Sequence, residues 1–291
     1  MSGSDRELEV LRRLSRHRYL SRSQVEGFLF HGASLGSGSK DVLTRRVLTR
    51  LKTEGLISAT PRLVGGPGGG SARLGYFLTE AGARLAGGAC PVGATRRRGR
   101  GTFLLAHSLM AADIALAFER SGRSGQGHKL LDWESYEQTS GRLHGSPVLP
   151  DARLVYTTQA WRLDAYLEVD LATEGTRFYT AKIRRYVDLY RSGAWRSNLP
   201  TWPAVLTITP TEHRATALRL AAESVLAFHS DRVTRATKFA FGFLDDLVGP
   251  SGPLGAIWQV AGREGLQRLI PEDAVTAPRG GPRGADGGAK D

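Results

Sequence analysis

Three carboxylates and a lysine stand where they could act on a phosphate. Asp151 follows a proline at the start of an extended run, 149–156, and Glu168 and Asp170 close a second run, 160–170, beyond a turn near Thr158-Gln159. Pairing of the two runs through that turn would bring Asp151 close to the other two acids. Side chains alternate along a strand, so Asp164, Tyr166, Glu168 and Asp170 share one face, and Ala165, Leu167, Val169 and Leu171 the other. Oxygen ligands of this kind suit Mg2+ or Mn2+, which bind through one or two carboxylates, waters and phosphate oxygens. Such an ion could polarise a phosphodiester and lower the pKa of a bound water. Lys182, on the helix expected next, could orient that water or stabilise charge in the transition state. The expected catalytic set is therefore Asp151, Glu168, Asp170 and Lys182, with the three acids as metal ligands. The plainer reading makes the acids the polar face of an edge strand, which deters edge-to-edge pairing. Glu168 or Asp170 would then pair with Arg153, Arg184 or Arg185.

Tyr179 and Tyr186 raise a different chemistry, that of a tyrosine nucleophile. They fall with Ile183 and Tyr190 at i, i+4, i+7 and i+11 of a helix over 173–191. That apolar stripe belongs in a core, and no histidine cluster accompanies it. His107, alone on an apolar helix over 103–119, reads as a satisfied core or surface residue rather than a ligand.

The elements that must position these residues follow from periodicity. Beyond the helix of 103–119 come a polar turn at 120–127, a short strand at 130–134 and the two runs carrying the acids. The helix of 173–191 leads to a buried strand, 202–209, that ends at Pro210. Thr211 starts another helix, and 238–247 and 255–260 read as strands or strand-and-turn pieces. This is an α/β domain with a mixed sheet. The tail, 271–291, is rich in Gly, Pro and Arg and reads as disordered.

The first third of the chain differs in charge. Residues 1–100 hold 18 Lys/Arg against 7 Asp/Glu, an excess of +11, whereas 101–270 carry only +2. A basic segment joined to a near-neutral one points to a nucleic-acid module attached to a domain with another task. Its pattern reads as a helix over 5–19, a helix over 22–30 capped by Ser21, and a third over 40–54 capped by Ser39 and ended by Gly55. Two strands, 56–64 and 73–78, flank the glycine loop 65–71, and Thr79 caps a further helix. Three helices and a hairpin are the order of a winged helix-turn-helix, whose third helix enters the major groove of duplex DNA. The third helix here offers Lys40, Thr44, Arg45, Arg46, Thr49, Arg50 and Lys52 around its apolar stripe. Arg62 and Arg73 would be the wing cations. Residues 91–102 form a basic linker, so the expected units are 1–90, the linker, 103–270 and the tail.

No run is long and apolar enough for a membrane helix, and the charged N-terminus does not read as a secretory signal. Cys90 is the only cysteine, which excludes an intrachain disulfide and a cysteine-based zinc site. The cytoplasm is the expected compartment.

Pro150-Asp151 followed by Glu168-Val169-Asp170 resembles the PD-(D/E)xK nuclease motif, with Asp170 where the motif lysine usually stands. Some members of that group carry the lysine on the following helix, and Lys182 fits that displacement. More specifically, the chain resembles the replication-relaxation family of plasmids and integrative elements. The marks are the N-terminal winged helix, Tyr76-Phe77-Leu78-Thr79-Glu80-Ala81-Gly82, the His107 helix, Trp133-Glu134, Pro150-Asp151, Glu168-Val169-Asp170 with Thr173-Glu174, Lys182 with Tyr186, and the strand 202–209. The resemblance covers roughly 5–230 and implies a winged helix followed by a PD-(D/E)xK nuclease-like α/β domain. It implies a role in replication, DNA relaxation or mobilisation, with duplex DNA, replication or conjugation proteins and a second copy of the chain as partners. Two other functions follow from the same residues: a Mg2+-dependent endonuclease, or a transcriptional repressor.

Overall fold

A computed structural model of the chain describes residues 3–61, 74–87, 100–124, 127–142, 146 and 148–272. Arg62, Arg73, the glycine loop, Cys90, most of the basic linker and nearly all of the tail lie outside the described residues.

The N-terminal part holds α1 (Gly3–His17), α2 (Arg22–Phe30), α3 (Ser37–Thr53), β1 (Ile57–Ala59), β2 (Tyr76–Leu78) and α4 (Glu80–Leu85). Ser21 begins α2 with a reciprocal cap: its hydroxyl accepts from the Gln24 amide, and the Gln24 side chain accepts from the Ser21 amide. α3 starts earlier than expected, with Gly36 rather than Ser39 at its N-cap. Gly55 follows α3 at φ +69°, a conformation in which a side chain would be strained. β1 and β2 pair antiparallel, and Leu20 bridges to Tyr76 beside them.

α5 (Arg100–Ser124) is longer than the periodicity implied and absorbs most of the expected turn. After it come β3 (Lys129–Ser135), α6 (Tyr136–Arg142), β4 (Ala152–Thr157), β5 (Arg162–Val169), α7 (Thr176–Ser192), β6 (Ala204–Thr209), α8 (Glu212–Leu226), α9 (Asp231–Ala236), β7 (Phe239–Phe243), α10 (Leu244–Val248), β8 (Trp258–Val260) and β9 (Leu266–Gln267). The strands β3 to β9 form one seven-stranded sheet in chain order. Neighbours are antiparallel except for β5–β6 and β6–β7, which are parallel and are crossed by α7 and α8. The sheet is mixed, as the pattern of elements required.

Both faces of the central strands are covered. Leu163, Ala165, Leu167 and Val169 of β5 join a core with α5 and the N-terminal helices, while Tyr166 packs beneath α7 and α8. β5 is the third strand of seven, with a partner on each side, so the edge-strand reading of its acids is overturned. The N-terminal part is tied to α5 by Arg13, whose guanidinium meets Glu119 at 2.5 and 3.0 Å and lies over the Phe28 ring. Gln24 adds bonds of 2.7 Å to the Leu109 carbonyl and to Asp113. Among the described residues no helix is long and apolar enough to cross a membrane.

Candidate functional site

The β4–β5 ladder runs one step past β4, where the Asp151 amide donates to the Leu167 carbonyl at 2.9 Å. The Asp151 carboxylate then turns over the end of β5. Its Oδ2 accepts from the Val169 amide at 2.8 Å and stands 3.1 Å from His107 Nε2 on α5. Burial opposes the charge on Asp151, but the His107 bond and charge, Lys182 and the Val169 amide bring its pKa below the ordinary value. Burial likewise opposes protonation of His107, and Asp151 outweighs it, so the imidazole titrates above its usual range.

Glu168 faces the opposite layer and is 1% exposed. Its Oε2 accepts from Lys182 Nζ at 2.6 Å and its Oε1 from the Tyr186 hydroxyl at 2.5 Å. Lys182 and Tyr186 are four residues apart on α7, one turn, and so reach the same carboxylate. Burial pushes the Glu168 pKa up to about 7, only partly offset by the Lys182 ammonium. Burial also works against that ammonium, yet Glu168 and then Asp151 hold its pKa above the ordinary lysine value.

Asp170 lines the same cleft as Asp151 and Glu168 but is held by other partners. Its Oδ1 accepts from the Ala172 amide at 2.5 Å, and its Oδ2 takes Arg214 Nη2 at 2.7 Å and Nε at 3.2 Å. Arg214, on α8, also donates to the Glu174 carbonyl at 2.7 Å. Asp170 thus fastens the loop after β5 to α8, and Ala172 sits within that loop at φ +57°. The three acids expected to share one ion line one cleft, but each is already bonded to protein donors. Both Glu168 oxygens accept from protein donors, Asp170 is held by a guanidinium, and Asp151 is closed over a backbone amide. Among the described residues no group of three His, Cys, Asp or Glu side chains stands as a metal site. This donor set does not fit a divalent cation held by Asp151, Glu168 and Asp170 together.

These groups border a cleft of about 730 Å³ at the C-terminal end of β5, with His107, Asp151, Glu168, Asp170, Lys182 and Arg214 in its lining. Open α/β sheets bind ligands at this end of their parallel strands. Arg153, expected as a partner of Glu168 or Asp170, instead pairs with Asp164 at 2.5 Å and Glu134 at 3.4 Å. The Tyr179 hydroxyl is bonded to Thr207, and both Tyr179 and Tyr186 are buried, as core residues should be. His107, Tyr186 and Arg214 were missed as site residues. Tyr186 was legible as the residue one turn beyond Lys182; nothing local marks Arg214.

On α3, Arg45, Arg46, Thr49, Arg50 and Lys52 are exposed and Lys40 is half-buried. Thr44 corrects the expectation: it is 0% exposed, and its hydroxyl donates to the Lys40 carbonyl at 2.8 Å. It joins Val47, Leu48 and Leu51 on the buried stripe and cannot read a groove. Arg45 pairs with Asp41, and Arg50 with Glu54 and Glu7. Among the described residues no ion pair engages Lys40, Arg46 or Lys52.

A helical module with a basic third helix, packed on a mixed α/β sheet with a carboxylate–lysine cleft, defines the class of protein. The chain matches the family model described as replication-relaxation over residues 11–205, well over half its length. It belongs to that family, which suggests a role in the replication or relaxation of plasmid or mobile-element DNA. No curated protein matches the chain.

Proposed function

We propose that the chain binds duplex DNA of a plasmid or integrative element and that α1–α3 with β1 and β2 act as a winged helix. α3 docks in the major groove. The observation that carries this reading is the outward face of α3. It presents Lys40, Arg46 and Lys52, with no carboxylate paired to them among the described residues, flanked by Arg45, Thr49 and Arg50, on a helix anchored from below by Val47, Leu48 and Leu51. Lysine and arginine serve phosphates, and arginine also serves guanine edges. Arg45 and Arg50 are themselves exposed and can exchange their carboxylate partners for phosphates at modest cost, since ion pairs at the surface contribute only about 0–1 kcal/mol.

Fluorescence anisotropy on duplex fragments at graded salt tests this. Removing one cation that neutralises a phosphate should lower the salt slope by about one. Arg46→Ala with Arg50→Ala should therefore weaken binding and flatten the slope together. Binding that ignores salt, or survives that double substitution unchanged, refutes α3 docking.

A second reading, a phosphodiester-cutting site, is favoured by one observation: Asp151, Glu168 and Lys182 do face a single cleft. Incubation of supercoiled plasmid with Mg2+ or Mn2+ decides it. Nicking that vanishes in Asp151→Ala and Glu168→Ala supports cutting. No nicking, or nicking unchanged in those variants, leaves the sheet domain as a companion to the DNA-binding helices.

A further inference from the structure

The rim of the β5 cleft differs chemically from its floor. On the floor each acid is matched inside the protein: Glu168 by Lys182, Asp170 by Arg214 and Asp151 by His107. The rim carries two exposed aromatic rings, Phe178 at 70% and Phe103 at 47%. These two line the same opening from different helices, α7 and α5. Arg177 and Arg185 stand beside them, exposed and without ion pairs among the described residues. Phe178 and Arg185 are seven residues apart on α7, two turns, so they lie on one side of the helix with Lys182 between them. Among the described acids of the lining, only Glu174 is exposed.

Flat apolar rings interleaved with guanidinium groups fit one kind of polyanion. An unpaired nucleic-acid strand presents base faces for stacking and phosphates for the cations. In a duplex those faces are already stacked on one another and closed to the rings. A cleft of about 730 Å³ also has room for a base, within the roughly 300–1,000 Å³ typical of ligand sites. We propose that this rim binds an unpaired DNA strand, with Phe178 and Phe103 stacking on bases and Arg177 and Arg185 holding the phosphates. The proposal rests on the chain handling DNA, but not on α3. One molecule would then hold duplex at α3 and an opened strand at the end of β5.

Anisotropy with a labelled oligothymidylate of about 12 nucleotides, against a duplex of equal length, tests this in the full chain. Phe178→Ala and Phe103→Ala should each weaken single-strand binding about ten-fold while leaving duplex binding unchanged. Phe178 is exposed, so its removal leaves the core intact. Phe178→Trp should retain affinity, and its indole fluorescence should be quenched by the oligonucleotide. Arg177→Ala with Arg185→Ala should flatten the salt slope by about 0.7 for each phosphate no longer neutralised. Arg46→Ala with Arg50→Ala should spare single-strand binding, so loss of duplex binding alone removes the α3 reading and not this one. The proposal is overturned if the chain does not bind the oligonucleotide, if inorganic polyphosphate of equal charge competes as well, or if Phe178→Ala binds like the unaltered chain.

Discussion

Glu168→Gln should make the protein more stable at mildly alkaline pH while leaving it nearly unchanged at mildly acidic pH. The carboxyl group is 1% exposed and titrates at about 7 in the folded chain, against an ordinary 4.5. Between those values the folded chain keeps the proton and the unfolded chain releases it, so stability falls as pH rises. The full difference corresponds to about 3 kcal/mol, of which about 2 kcal/mol falls between about pH 5 and about pH 8. Glutamine has the same volume. Its oxygen can accept from Lys182 and its amide can donate to the Tyr186 oxygen, and it carries no charge to desolvate. The variant should therefore match the parent at about pH 5 and gain about 2 kcal/mol on it by about pH 8. His107 contributes stability that is present below its ordinary 6.5 and lost as pH rises through its raised value; Glu168 is one of the charges that raise it, so that loss is smaller in the variant and acts in the same direction as the main effect. His17, buried and pulled down to about 3, titrates alike in both. Asp151 loses its contribution only as pH falls below the window. Urea unfolding followed by tryptophan fluorescence reads the effect. At a slope of about 3 kcal/mol/M, the midpoint of the variant should move up relative to the parent by about 0.7 M across the range. A difference that does not change with pH, or one that grows against the variant as pH rises, would refute the assignment of Glu168 as a carboxylate held against its desolvation.

Lys182→Met leaves Glu168 buried without its cation. The loss should reach about 1–2 kcal/mol at about pH 8, where solvent screening of the partly exposed ammonium limits it, and shrink at about pH 5, where Glu168 carries its proton. Arg13→Ala removes the bidentate pair with Glu119 and the cover over Phe28; urea unfolding should show a loss of about 2–3 kcal/mol, and a cycle with Glu119→Ala a coupling of about 1 kcal/mol or more. Gly82→Ala would put a Cβ 2.0 Å from the Leu56 carbonyl oxygen, backbone against backbone, and should cost about 2 kcal/mol or more. Gly38→Ala, in open space in the first turn of α3, should instead raise the midpoint by up to about 1 kcal/mol in equivalent stability.

Much of the architecture was legible along the chain. The capping serine of α2, the stripe of Tyr179, Ile183 and Tyr186 on α7, the buried strand β6 and the Thr211 start of α8 follow from local chemistry, and local chemistry dominates where caps and periodicity agree. Errors fell where it was silent or equivocal. α6 and α9 are short and carry no sustained apolar period, so periodicity missed them. Thr44 reads as polar, yet its hydroxyl folds back on the Lys40 carbonyl and its methyl can pack with Val47. The apolar period of α5 persists past Glu119, although the polar residues there read as a turn.

The sequence by itself determined which residues alternate on β5, that Lys182 and Tyr186 sit one turn apart, and that the positive charge gathers in the first hundred residues, because these are properties of spacing and composition. Only the tertiary structure decided that β5 is an interior strand, that His107 meets Asp151 and that Arg214 meets Asp170. Those pairings join residues 44 positions apart in each case, and a carboxylate takes whichever cation the packing of sheet and helices delivers to it.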